Sequence, residues 1–384
     1  MSSVKKIPYV RLGKSGLKVS KIILGCMSYG SKGWSEWVID DQEEVNKHIK
    51  FAYDHGIQTF DTANVYSNGL SEIMLGKAIK DLQLPREELV ILTKLFSPVA
   101  PDYDTQLWGR DPQEVGIINQ QGLSRKHIFD SVKKSLERLQ VEYIDVYQCH
   151  RFDYDTPIEE TMQALHDVVQ AGYVRYIGMS SCHAYQFHAM QNYAIQNKLT
   201  PFISMQNHHS LIYREEEREM FPTLKVPPCT FALTKAPHQL TDWPRTVVRR
   251  RRDPLVASWP RQPYSPAVGA DETLGDRRVG GLQLYHMLAT DAARTSWAGP
   301  LKQWAGTADI VNRVEEISKK KGVSMAQVAI AWSLSKDGVT APIVGTTSLK
   351  NLEDIIGAVN VELTEDEIKY LEEPYKPLEV FGHT

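Results

Sequence analysis

The sequence predicts an α/β chain folded as a closed (β/α)8 TIM barrel with an N-terminal hairpin, and three observations carry that expectation. From residue 17 to about 209, six short apolar segments alternate with amphipathic ones, the mark of parallel β-α units. No Gly-x-Gly occurs anywhere in the 384 residues, so the phosphate turn of a doubly wound dinucleotide fold has no counterpart. Polar residues collect instead at the C-terminal ends of successive strands. In a closed barrel those ends converge on one mouth, where barrels place their chemistry.

The elements follow in order from their residues. Residues 9–20 (YVRLGKSGLKVS) read as two short strands around a glycine-containing turn, a hairpin suited to closing the barrel floor. Residues 21–24 (KIIL) make a first strand ending at Gly25. Residues 44–55 set Val45, Ile49, Phe51 and Ala52 on one helical side. A second strand, 58–62 (QTFDT), precedes a helix over 71–82 with Ser71 placed to cap it. Residues 89–94 (LVILTK) are a buried third strand. The helix over 124–139 has Ser124 at its N-cap and Ile128, Val132, Leu136 and Leu139 at helical spacing. The fourth strand is 144–149 (IDVYQC), and the helix after it, 158–171, stops at Gly172. A fifth strand (174–179), a helix (185–196) and a sixth strand (202–206) follow. The pattern resumes with helices at 307–321 and 325–335 and a strand at 340–344 ending before Gly345. Helices at 349–359 and 364–373 close the chain, the last capped by Thr364.

Two loops are long, 30–41 with Trp34 and Trp37, and 96–123 with Tyr103 and Trp108. Loops of that length in a compact barrel usually carry function. Residues 226–305 read differently from their flanks and form an irregular segment inside a single 1–384 domain. They hold nine of the twenty prolines, no isoleucine, and four consecutive arginines, Arg249–Arg252, best read as a solvated loop. Strand seven belongs there by order, and residues 255–258 are its best, weak representative. An out-of-frame or unspliced stretch is one explanation of so abrupt a change, and the transcript sequence decides it.

Composition narrows the function. A net charge of −3 and a pI near 6.5 give no electrostatic case for nucleic acid or an anionic membrane. No apolar run approaches the roughly 20 residues that span a bilayer. The N-terminus lacks an apolar signal core, and Gly-His-Thr at the end is no peroxisomal address. The four cysteines (Cys26, Cys149, Cys182, Cys229) form no Cys-x-x-Cys pair, so free thiols in the cytoplasm are expected. His208-His209 has no further ligand at helical spacing, and no metal site is expected.

The strand ends suggest carbonyl reduction. A nicotinamide delivers hydride to carbon, while the protein gives a proton to oxygen and stabilises its developing charge. A tyrosine does both if a lysine ammonium lowers its pKa, an aspartate holds the lysine, and a histidine orients the carbonyl. Asp61 and Tyr66 lie five residues apart after the second strand, Lys94 ends the third, and His150 follows the fourth. Singly, each has an ordinary structural role. All four at consecutive strand ends are hard to obtain by accident.

The motifs LGKSGLKVSKIILGCMSYG (12–30), FDTANVYSNGLSEIMLGKAI (60–79), ILTK (91–94), IDVYQCHRFD (144–153), VRYIGMSS (174–181), SMQNHHSLIYREEE (204–217), SMAQVAIAWSL and APIVGTTSLKNLEDII (within 324–356) resemble the aldo-keto reductases, especially the fungal aryl-alcohol dehydrogenase-like and polyketide-pathway branch. The resemblance covers residues 8–225 and 307–375. It implies Tyr66 as proton donor, Asp61 and Lys94 as its tuning pair, and His150 as the carbonyl-orienting partner. It implies Ser180, Ser181 and Gln206 around the nicotinamide carboxamide with Asn207 beside them, and Gly345, Thr346, Thr347, Ser348 and Lys350 around the phosphates. Tyr29 and Trp34 would line the substrate mouth. The implied substrate is an aromatic aldehyde or ketone, and the implied cofactor NADPH, with NADH as the alternative. Two departures stand out. Residues 226–305 contain no match to the family's Ser-Pro-Leu-x-x-Gly cofactor loop, Tyr264-Ser265-Pro266 being the nearest, and Ser348 stands where the family usually has Arg or Lys. The first departure favours a rival reading, a cofactor-binding barrel with little turnover.

Overall fold

The computed structural model describes residues 7–107, 110–225, 306–380 and 382–383. All of them belong to one compact unit. The expected strand seven, Trp108, the Arg249–Arg252 run and Tyr264-Ser265-Pro266 lie outside the described residues.

The described strands form a two-stranded hairpin and a seven-stranded parallel sheet. The hairpin is β1 (Tyr9–Arg11) against β2 (Lys18–Ser20). The sheet contains β3 (Ile23–Gly25), β4 (Thr59–Asp61), β5 (Val90–Leu95), β6 (Ile144–Cys149), β7 (Val174–Ser180), β8 (Phe202–Gln206) and β9 (Ile343–Val344). Its order is β8-β7-β6-β5-β4-β3-β9. Six strands lie beside their neighbours in sequence, and the last returns to pair with the first, Ile23 opposite Ile343. A sheet whose final strand comes back to its first strand is a barrel, not a doubly wound sheet.

Helices α1 (Gln42–Asp54), α2 (Leu70–Asp81), α3 (Arg125–Leu139), α4 (Ile158–Gln170) and α5 (Ala184–Gln196) connect the strands, and α6 (Met220–Lys225) follows β8. Beyond residue 306 come α7 (Thr307–Lys321), α8 (Met325–Ser335), α9 (Leu349–Ile356) and α10 (Glu365–Glu372). Alternation along the strands sorts their side chains. Leu24, Phe60, Ile91, Tyr147 and Ile177 pack in the main core with helical residues such as Ile49, Leu75 and Val132. Ile23, Val90, Leu92 and Val146 form a second cluster with Leu12 and Val19 of the hairpin, which therefore plugs one end of the barrel. The hairpin turn needs glycine at position 13: its φ is +56°, and a Cβ there would lie 2.3 Å from the Ile203 carbonyl oxygen. Among the described residues no helix is long and apolar enough to cross a membrane.

Most caps fall where the sequence puts them. Ser124 accepts from the His127 amide, and Thr364 makes a capping box with Glu367. Ser71 does not cap α2. The helix starts one residue earlier from Gly69 at φ +95°, and the buried Ser71 hydroxyl donates to the Cys26 carbonyl at 2.7 Å. The helix expected over 349–359 ends at Ile356 and passes into a 3-10 turn, Gly357–Asn360.

Candidate active site

The barrel order puts Asp61, Lys94 and His150 at the ends of three adjacent strands, β4, β5 and β6. Tyr66 sits on the turn after β4. The Lys94 Nζ donates to Asp61 Oδ2 at 2.6 Å, to the Thr62 carbonyl at 2.9 Å and to the Tyr66 hydroxyl at 3.4 Å. The Tyr66 and His150 rings meet edge to face, centroids 6.0 Å apart. The four residues singled out from the sequence thus share one place.

Electrostatics follow from burial. Burial alone would lower the Lys94 ammonium, but Asp61 and Tyr66 outweigh it and its pKa lies above the usual value. The Tyr66 phenol is also raised: burial dominates, Lys94 opposes it, and Asp61 adds to it. The Asp-Lys-Tyr pattern of the sequence predicts a lowered phenol, and the structure reverses that direction. Loss of water around the ring exceeds the pull of an ammonium that Asp61 already offsets. Burial, then Lys94 and Arg151, hold the His150 imidazole well below the ordinary histidine range, so it is neutral at physiological pH. Its Nδ1 is buried without a hydrogen-bond partner among the described residues.

Several residues that no sequence motif singles out complete the site. Gln148 of β6 donates to Asp61 Oδ1 at 3.3 Å, fixing the oxygen that Lys94 leaves. The signal was a glutamine inside an otherwise buried strand. Asn68 binds the long 96–123 loop three times: its Nδ2 donates to the carbonyls of Asp102 (2.9 Å) and Thr105 (2.7 Å), and its Oδ1 accepts from the Ala100 amide at 3.1 Å. Ser67 (φ +45°) and Asn68 (φ +49°) are both left-handed, directly after Tyr66.

The residues expected around a carboxamide also converge. Ser180 is opposite Gln206 across β7 and β8, and the Ser181 amide donates to the Gln206 carbonyl and to Asn207 Oδ1, each at 3.1 Å. Gln206 Oε1 is buried with no hydrogen-bond partner among the described residues. It is an acceptor available to a carboxamide N–H, and the Ser180 hydroxyl beside it can donate, so the donor set fits a nicotinamide. At the other edge of the described sheet, directly after β9, Gly345 abuts Ser28 and Gly25. Ser348 Oγ caps α9 by accepting from the Asn351 amide, and Thr346 Oγ1 accepts from the Ser348 amide at 3.1 Å. Thr347 precedes that cap, and Lys350 is exposed on the first turn of the helix.

Tyr29 and Trp34 are both buried. Tyr29 packs edge-on to His48, and Trp34 edge-on to Trp37. Met27, just after β3, is the exposed apolar side chain there. His209 pairs with Glu217 at 2.9 Å and stacks on Trp332. Cys26, Cys149 and Cys182 are free and buried.

The sequence model of the Aldo/keto reductase family matches residues 21–226 and 274–376. The match resumes within the irregular segment, so the break in likeness narrows to 227–273. A provisionally named aryl-alcohol dehydrogenase of Schizosaccharomyces pombe is 44% identical, over 100% of this chain and 99% of its own. Versiconal hemiacetal acetate reductase of Aspergillus parasiticus is 43% identical, over 96% of this chain and 97% of its own. An aldo-keto reductase of Fusarium vanettenii is 40% identical, over 99% of this chain and 94% of its own.

Proposed function

The chain belongs to the aldo/keto reductase family of NAD(P)H-dependent oxidoreductases, and on that footing we propose that it reduces an aromatic aldehyde or ketone of secondary metabolism to the alcohol with NADPH, Tyr66 giving the proton. The observation that carries the reading is one ammonium, Lys94 Nζ, within hydrogen-bond reach of both Asp61 and Tyr66. A phenol whose pKa burial raises stays protonated through the physiological range, as a proton donor requires. As the proton leaves, the adjacent ammonium stabilises the phenolate, and Asp61 with Gln148 keeps that ammonium in place. The neutral His150 donates a hydrogen bond to the carbonyl oxygen and orients it.

Ser180, Ser181 and Gln206 hold the carboxamide in this reading, with Asn207 beside them. Gly345, Thr346, Thr347 and Ser348 line the phosphates, with Lys350 answering the 2′-phosphate. Bound there, the nicotinamide supplies hydride to the carbonyl carbon. The aromatic substrate class rests on the name of the Schizosaccharomyces pombe relative and on the aromatic loops 30–41 and 96–123. A cytoplasmic setting suits Cys26, Cys149 and Cys182, which are free and buried among the described residues. The test compares kcat/KM for aromatic and aliphatic aldehydes with NADPH and with NADH. The reading expects preference for the aromatic aldehyde and for NADPH. Equal use of NADH would remove the role given to Lys350, and preference for aliphatic aldehydes would remove the substrate class.

A further inference from the structure

The 3-10 turn Glu215–Glu217 places three carboxylates in a row, yet each has its own partners. Glu215 Oε1 accepts from the Tyr375 hydroxyl at 2.6 Å and the Leu378 amide at 2.8 Å. Glu217 pairs with His209 and with Arg214. Glu216, 3% exposed, accepts from Asn207 Nδ2 at 2.6 Å. A buried carboxylate is costly unless it is bonded, so this one holds a defined position. Asn207 in turn gives its Oδ1 to the Ser181 amide at 3.1 Å.

We propose that Glu216 is a positioning residue for the carboxamide end of the cofactor site: it fixes which way the Asn207 amide faces, and Asn207 then holds the Ser181 backbone. The proposal rests on the cofactor reading above. Its physics is polarity. A carboxylate only accepts, so it draws the NH2 of Asn207 and leaves the amide oxygen to face Ser181. Ser181 needs holding, because a serine at φ +42° is in a sparsely populated conformation. Turned over, the Asn207 amide would set NH2 against N–H, and the Ser181 amide would keep only its bond to the Gln206 carbonyl. The other Glu216 oxygen faces His383 Nε2 of the C-terminal tail, 2.9 Å away, at ion-pair distance but out of line for a hydrogen bond.

The test reverses the polarity of the pair. Asn207→Asp keeps an acceptor for Ser181 but opposes Glu216 with like charge. Asn207→Asp together with Glu216→Gln restores one donor and one acceptor, with their places exchanged. Two readouts are taken: NADPH affinity by tyrosine and tryptophan fluorescence, and hydrogen exchange of the Ser181 amide without cofactor. The single variant should weaken NADPH binding by about tenfold or more, the scale of one lost charge-assisted bond, and speed exchange. The paired variant should return affinity to within about threefold of the parent and restore slow exchange. Should the single variant not fold, the paired one must still fold and bind. A paired variant that misfolds, or that stays as weak and as fast as the single one, overturns the proposal. If the parent chain does not bind NADPH, the cofactor reading fails on its own, and exchange at Ser181 still decides whether Glu216 orders the loop.

Discussion

Asp61 Oδ2 and Lys94 Nζ are 2.6 Å apart, with their side chains only 4% and 2% exposed. Neither charge is stable there alone, since an unpaired buried charge costs several kcal/mol. The bond therefore does two things: it keeps Lys94 ionised and aims its remaining donors at Thr62 and Tyr66. Asp61→Asn should destabilise the fold by about 3–5 kcal/mol in denaturant unfolding. In the folded fraction kcat should fall by about 100-fold or more.

Asn68 ties the turn bearing Tyr66 to the 96–123 loop by three hydrogen bonds while sitting at φ +49°. Asn68→Gly removes the bonds and leaves the conformation easy, whereas Asn68→Ala removes the bonds and adds backbone strain. Thermal unfolding should show the alanine variant about 1 kcal/mol below the glycine variant. Both should raise KM for the carbonyl substrate more than they lower kcat. Equal stability of the two variants would mean that the left-handed turn carries no strain.

Stability should fall with acid before the carboxylates titrate. Burial, and next to it His209, lowers the His208 imidazole to about 4. An unfolded histidine titrates near 6.5, so the unfolded chain takes up the proton first. The contribution is whole above about pH 6.5 and declines down to about pH 4, by about 3 kcal/mol in total. Buried His127 and His150 act in the same direction. Burial would raise Glu217, but His209 and Arg214 outweigh it and hold it near 2, so its contribution fades below about pH 4.5. A His208→Gln variant should flatten the slope of unfolding free energy between pH 6.5 and 4. An unchanged slope would contradict the assignment.

Gly13→Ala tests the barrel plug. Its Cβ would meet the Ile203 carbonyl oxygen at 2.3 Å, backbone that cannot swing away, and its φ is wrong for alanine. A loss of about 2 kcal/mol or more is expected in urea unfolding. Gly16, around which there is open space, should accept alanine at little cost.

Much of the barrel was legible because its strands are short and apolar and its helices carry one buried side. The strand over 144–149 and the helices over 307–321 and 325–335 were read to the residue. Position along the chain also told that Asp61, Lys94 and His150 would meet, since strand ends in a barrel must. What was not legible depends on partners distant in sequence. Ser71 looked like a cap, but its hydroxyl is drawn to Cys26, 45 residues away. The direction of the Tyr66 pKa depends on how dry the site is, which no motif states. The last strand was expected over five residues and has two, because only Ile343 and Val344 reach the first strand. Glu216 was one letter in an acidic run, and its partner Asn207 identifies it only once β8 is in place.

The central claim is that Tyr66 donates the proton, and one measurement tests it most directly. NADPH consumption with a reactive aromatic aldehyde is followed for the parent chain and for Tyr66→Phe, alongside NADPH binding by fluorescence. The account predicts aldehyde-dependent consumption by the parent and a loss of about 100- to 10,000-fold in kcat for the variant, which still binds NADPH. A Tyr66→Phe variant that turns over at the parent rate would contradict the donor role. A folded parent chain that binds NADPH and consumes none would contradict the reductase itself and leave the slow cofactor-binding barrel in its place.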